Sequence, residues 1–90
     1  MVVKIFWEEN CTLCPQAKEI GEKLEGMGEK VDYCNVHDSS GLNHAIHFDI
    51  STTPSIVLTN QDNEKLAIWQ KIMPSMDEIL SVIKKTPGKS

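Results

Sequence analysis

Two of the three cysteines in this chain stand two residues apart in "ENCTLCP", residues 9 to 15, as Cys11 and Cys14. A pair at that spacing can join a metal site, staple a loop, or pass between dithiol and disulfide. The metal reading finds further ligands in the sequence. After nineteen intervening residues comes Cys34, followed at the same two-residue gap by His37. Cys11-x2-Cys14 with Cys34-x2-His37 has the form of a four-ligand zinc or cluster site. His44 and His47 offer another pair three residues apart, although such histidines are more often solvated surface groups. The staple reading is the weakest, because three cysteines leave one unpaired and structural disulfides are rare in a reducing compartment.

Composition narrows the function classes. Ninety residues with 40% apolar content make one domain with a modest core. The net charge is −4, and all nine basic residues are lysine. Without a basic stripe or arginine forks, nucleic acid is not an expected partner. The opening "MVVKIFW" carries Lys4 and runs into Glu8 and Glu9, too short for a signal-peptide core, and no later run approaches a membrane span. The expectation is a monomeric cytoplasmic protein that neither enters nor crosses a membrane.

The elements that must position the cysteines follow from periodicity. "VVKIFW" (2–7), "KVDYCNV" (30–36), "SIVLTN" (55–60) and "EKLAIW" (64–69) predict strands, the last two joined in a hairpin by "QDN" (61–63). Ala17, Ile20, Leu24 and Met27 form one helical stripe ending near Gly26 and Gly28. "DSSGLNHAIHF" (38–48) predicts a second helix, entered at Asp38, Ser39 or Ser40, with Leu42, Ala45 and Ile46 inward. Ser75 is expected to cap a third, with Met76, Ile79, Leu80 and Ile83 buried, and residues 86–90 to form a disordered tail beyond a domain spanning 1–85. The order β-α-β-α-β-β-α predicts an α/β fold, a four-stranded mixed sheet flanked by three helices. Each strand–helix–strand unit is expected to pair its strands in parallel, and the hairpin to add an antiparallel pair.

In that order Cys11 falls where the first strand meets the first helix, with Asn10 or Thr12 as candidate caps and Pro15 tolerated near the start. Residues three apart on a helix have Cβ atoms about 5–6 Å apart, close enough for a reversible disulfide. Unpaired N–H groups and the helix dipole favour a thiolate there, while Glu8 and Glu9 oppose it. The geometry predicts an exposed, attacking Cys11 and a more buried, resolving Cys14. "STTPSIVL" (51–58) places Pro54 at the head of a strand. In this fold that loop returns beside the helix start. A cis Thr53–Pro54 bond would turn the Thr53 backbone toward a bound substrate. Cys34, inside a strand, is expected to be a small core residue. A zinc- or cluster-binding module using Cys11, Cys14, Cys34 and His37 stays open as the alternative.

The chain resembles the thioredoxin superfamily, with a size close to glutaredoxins and other small redoxins. "FWEENCTLC" matches the pattern Phe-Trp, three residues, Cys-x-x-Cys, and "AIHFDISTTPSIVL" (45–58) is similar to the family's helix end, proline and third strand. The resemblance implies that Cys11 is the nucleophile, Cys14 the resolving cysteine and Pro54 the cis-proline, and that Trp7 flanks the site. Thr53 and Pro54 would bind substrate. The implied function is a thiol–disulfide oxidoreductase that reduces disulfide-containing proteins, with no cofactor and no resident metal.

The departures from the family are equally specific. Ile5 stands where thioredoxins keep a buried aspartate, and Asn10 and Thr12-Leu13 replace the tryptophan and Gly-Pro around the first cysteine. The glutaredoxin Gly-Gly-x-Asp clamp has no counterpart in "WQKIMPSMDEI" (69–79), where Asp77 is the remaining candidate cap. A reductase or another dithiol protein is therefore the expected electron donor, not glutathione. Lys71 and Met73 lie in a loop that the fold would bring near the cysteines.

Overall fold

The computed structural model describes residues 1–85; the tail expected at 86–90 lies outside the described residues. Four strands, β1 (Val2–Trp7), β2 (Lys30–Asn35), β3 (Ser55–Thr59) and β4 (Lys65–Gln70), form one sheet in the order β2-β1-β3-β4. Three helices, α1 (Cys14–Gly26), α2 (Ser39–His47) and α3 (Met76–Lys85), complete the predicted element order. None of the helices is long and apolar enough to cross a membrane.

β1 and β2 pair in parallel, whereas β3 runs antiparallel to both β1 and β4. Only the first strand–helix–strand unit therefore gives the parallel pairing expected of both. β3 inserts on the far side of β1 from β2, and arrives in the opposite direction.

The central strand is apolar on both faces because both are covered. Val3 and Ile5 pack with Ile56 and Leu58 of β3, Ala17 and Leu24 of α1, and Ile79 and Ile83 of α3. Phe6 points the other way, with Cys34, Val57, Ala45 and Phe48 around α2. Phe6 and Phe48 meet edge to face, ring centroids 6.4 Å apart. Lys4 shares that second face. It is 7% exposed, and its Nζ lies 3.3 Å from Asp32 Oδ2, which supplies the partner a buried ammonium requires.

Two helices differ in detail from the periodicity. Met27 is 54% exposed, because α1 stops at Gly26 and the Met27 N–H turns back to the Leu24 carbonyl. Gly28 follows at φ 90°, a left-handed exit that glycine makes cheaply. In α2 the buried residues are Gly41 and Ala45, followed by Phe48, while Leu42 and Ile46 are 48% and 69% exposed. The cause is Gly41: its backbone seats directly on the Asn35 carbonyl, where any Cβ would collide. Docking the helix through Gly41 and Ala45 rotates Leu42 and Ile46 outward. At α3, Ser75 caps as expected: the Glu78 N–H donates to Ser75 Oγ at 3.2 Å. The Ser75 N–H reaches Glu78 Oε1 at 3.4 Å, completing a capping box. Asp77 lies inside the first turn and is not the cap.

The Asn35 carbonyl also accepts from the Asp38 N–H at 3.0 Å, so it cannot retreat. Gly41→Ala is expected to destabilise the protein by about 1–3 kcal/mol in urea unfolding, the range for an overpacked contact. Leu42→Ser, at an exposed position one residue along, should change the midpoint little.

Candidate active site

The cysteine site is assembled where β1 ends. Near that end Phe6 registers with Ser55, so the residues following β1 face those preceding β3. Asn10 at φ 63° reverses the chain toward α1, a left-handed conformation that asparagine tolerates better than most side chains. α1 then begins at Cys14 with Leu13 as its N-cap, and no side chain caps it. Asn10 and Thr12 therefore do not act as caps; the Leu13 carbonyl instead accepts from the Gln16 and Ala17 N–H groups at 3.1 and 3.4 Å. Pro15 occupies the first turn, where its missing N–H costs nothing.

Cys11 and Cys14 are joined by a disulfide, with Cα atoms 5.4 Å apart. Cys11 sits in the bend ahead of the helix and is half-buried, whereas Cys14 is 3% exposed. Cys11, Thr12 and Leu13 share an open pocket of about 260 Å³ with Glu8, Thr53 and Pro54. The Thr53–Pro54 peptide is cis. The Pro54 carbonyl accepts from the Lys71 N–H at 3.2 Å, which ties the 71–75 loop to the proline and holds Lys71 at φ 71°. Ile72, next in that loop, is 81% exposed, and Leu13 between the cysteines is 43% exposed. Exposed apolar side chains thus stand between the cysteines and in the loop tied to Pro54.

No family model and no curated relative matches the sequence. Solved structures do match along nearly the whole length. A mutant thioredoxin from Halobacterium salinarum superposes with TM-score 0.75 at 21% identity, covering 92% of this chain and 71% of that one. Thioredoxin-2 of the malaria parasite superposes at 0.72 with 22% identity, covering 94% and 82%. Thioredoxin 1 from Thermosipho africanus gives 0.68 at 13% identity, covering 94% and 92%. The chain has the thioredoxin fold.

Within the thioredoxin fold the site carries one residue that sequence reading placed only as an opposing charge. Glu8, immediately after β1, accepts a hydrogen bond from Thr53 Oγ1 at 2.6 Å through Oε2, and its Oε1 lies 2.9 Å from His37 Nε2. The Thr53 hydroxyl, then the His37 ring, hold the Glu8 carboxyl below its ordinary range. His37 is in turn set by its own N–H, which donates to Asn35 Oδ1 at 2.9 Å. One carboxylate thus links the ends of β1 and β2 to the residue before Pro54. The available signal was its position directly after the Phe-Trp strand end.

Ile5 is fully buried, so apolar packing fills the place of the family's buried aspartate. Lys18 lies over the face of Trp7, its Nζ 3.6 Å from the ring centroid, a cation–π contact. The four-ligand metal set is not assembled. Cys11 and Cys14 are bonded to each other, His37 is engaged by Glu8, and Cys34 faces α2 with its Sγ 3.6 Å from His44 Nδ1. The His47 and Phe48 rings meet edge to face, and His47 does not join His44.

Cys34 is 5% exposed, and burial, aided by the nearby Asp32 charge, pushes its thiol up to about 11. A raised value means that the folded state favours the protonated thiol. This contribution is complete below the ordinary thiol value of 9.0 and is lost as pH rises toward 11. After reduction, iodoacetamide at pH 8 is expected to modify Cys11 rapidly and Cys34 only when denaturant is added, as read by peptide mass. Rapid labelling of Cys34 in the folded protein would contradict the burial argument.

Proposed function

We propose that the protein is a thiol–disulfide oxidoreductase that reduces disulfides in other proteins. The observation that carries this reading is the cysteine pair itself: a half-buried Cys11 bonded to a buried Cys14, opening into the same pocket as Thr53 and Pro54. In the dithiol form the Cys11 thiolate attacks one sulfur of a client disulfide. A mixed disulfide forms and the other client sulfur leaves as a thiolate. The Cys14 thiolate then attacks Cys11 Sγ, releases the second client sulfur, and leaves the Cys11–Cys14 disulfide. Two electrons pass to the client, and the two protons released by the dithiol end on the client thiols through solvent.

Burial supports this order of attack. Only Cys11 of the pair is accessible to a large partner, and Cys14 lies within bonding reach of Cys11 without chain movement. The exposed Leu13 and Ile72 provide apolar area for a client segment lying across the pocket. Thr53 would offer backbone hydrogen bonds to an extended client strand, and its side chain is anchored by Glu8 in the arrangement described above.

Regeneration requires a donor of two electrons. A reductase or a second dithiol protein suits this surface, since the 71–75 loop lacks the glycines of a glutathione clamp. The same reading makes it a monomer acting in the cytoplasm. Incubation with glutathione, or with flavin- or ferredoxin-linked reductases, followed by thiol counting, should show faster regeneration by a reductase.

Reduction of insulin by the dithiol form, followed as turbidity, tests the reading directly. Cys11→Ser should bring the rate to background. Cys14→Ser should accumulate a mixed disulfide that migrates as a covalent adduct and disappears on adding a small thiol. Wild-type rates in both variants would remove the proposal.

A further inference from the structure

On the opposite face of the sheet, three potential ligands converge that the redox chemistry does not use. Asp32 and Cys34 are two residues apart on β2 and therefore project to the same side. His44 comes down on them from α2, three residues after the Gly41 that seats this helix on the end of β2. Among the described residues, one ligand atom from each of these three lies within 4.8 Å of the others.

From this convergence we infer that Asp32, Cys34 and His44 bind a zinc-type divalent cation, with water completing the coordination. For the sulfur–nitrogen pair the spacing is that of ligands already in place. Zinc about 2.3 Å from sulfur and about 2.0 Å from nitrogen, at a tetrahedral angle, sets those two atoms about 3.5 Å apart. Cys34 Sγ and His44 Nδ1 are 3.6 Å apart. A direct hydrogen bond between them would leave Asp32 outside, whereas an ion draws in all three. Sulfur, imidazole and carboxylate together form a donor set that suits zinc better than magnesium or calcium.

The surroundings support a preorganised site. Cys34 is held among Phe6, Ala45, Phe48 and Val57, so its rotamer is fixed by packing. Asp32 and His44 are half-exposed, leaving a route for the ion and its water. On binding, the Cys34 S–H bond breaks and its proton passes to solvent as the metal–sulfur bond forms; no electrons move. Thiolate and carboxylate then balance the double charge. Lys4 contacts one of the two Asp32 oxygens and carries the remaining positive charge. It weakens the site without closing it, because a carboxylate has two oxygens to offer.

Cobalt(II) titration of the full chain, with Cys11 and Cys14 held as the disulfide and no reductant present, tests the inference independently of the redox reading. One equivalent should bind, with a thiolate-to-cobalt charge-transfer band, visible bands of tetrahedral intensity, and release of about one proton near neutral pH. Zinc should bleach these bands. Cys34→Ser should abolish the charge-transfer band. His44→Asn and Asp32→Asn should each weaken binding by about ten-fold or more, since lost ligands cost at least as much as lost outer partners. Circular dichroism checks that each variant is folded. Should Cys34→Ser fail to fold, the half-exposed His44→Asn carries the test. Absence of the band at millimolar cobalt, or a band unchanged in both His44→Asn and Asp32→Asn, would overturn the site.

Discussion

The antiparallel register of β1 against β3 is the constraint on which the candidate site rests. With Phe6 opposite Ser55, the chain leaving β1 and the chain entering β3 must emerge side by side at the same end of the sheet. Cys11 comes from the first segment and Pro54 from the second, so one register sets the distance between the cysteines and the loop that faces them. A slip of one residue would also turn Val3 and Ile5 out of one apolar cluster and Phe6 out of the other. The two cores therefore protect the geometry of the site, although neither core contains Cys11.

Glu8 reinforces this arrangement at the surface. Its two oxygens hold Thr53 on one side and His37 on the other, joining the segments after β1 and β2 to the one before β3. This chain thus combines an apolar interior behind its cysteines, with Ile5 fully buried, and a carboxylate at the rim. Charge is kept away from the dry side of the helix and placed where water can reach it.

Much of this was legible in the sequence because it depended on short-range patterns. The seven elements, the hairpin at residues 61–63, the Ser75 cap and the burial difference between Cys11 and Cys14 all followed from periodicity and from the position of a cysteine pair ahead of a helix. The failures have a common physical origin in tertiary docking. Leu42 and Ile46 have the spacing of an inward stripe, but a backbone-to-backbone seat at Gly41 decides which way α2 faces. Cys34 and His37 have the spacing of zinc ligands, yet strand alternation sends Cys34 to α2, and the exposed His37 pairs with Glu8. The direction of β3 was hidden for the same reason, since periodicity reports that a strand exists and not which neighbour it pairs with.

The division of the sheet into two faces has a further consequence for a protein with three sulfurs. α1, which carries Cys14, packs over one side through Ala17 and Leu24, while Cys34 is enclosed on the other with Phe48 and Val57. A polypeptide layer separates the odd thiol from the pair, so oxidation has no short path to a mismatched bridge. The strand that organises the core also serves as a barrier against thiol scrambling, a safeguard that an odd number of cysteines would otherwise deny the chain.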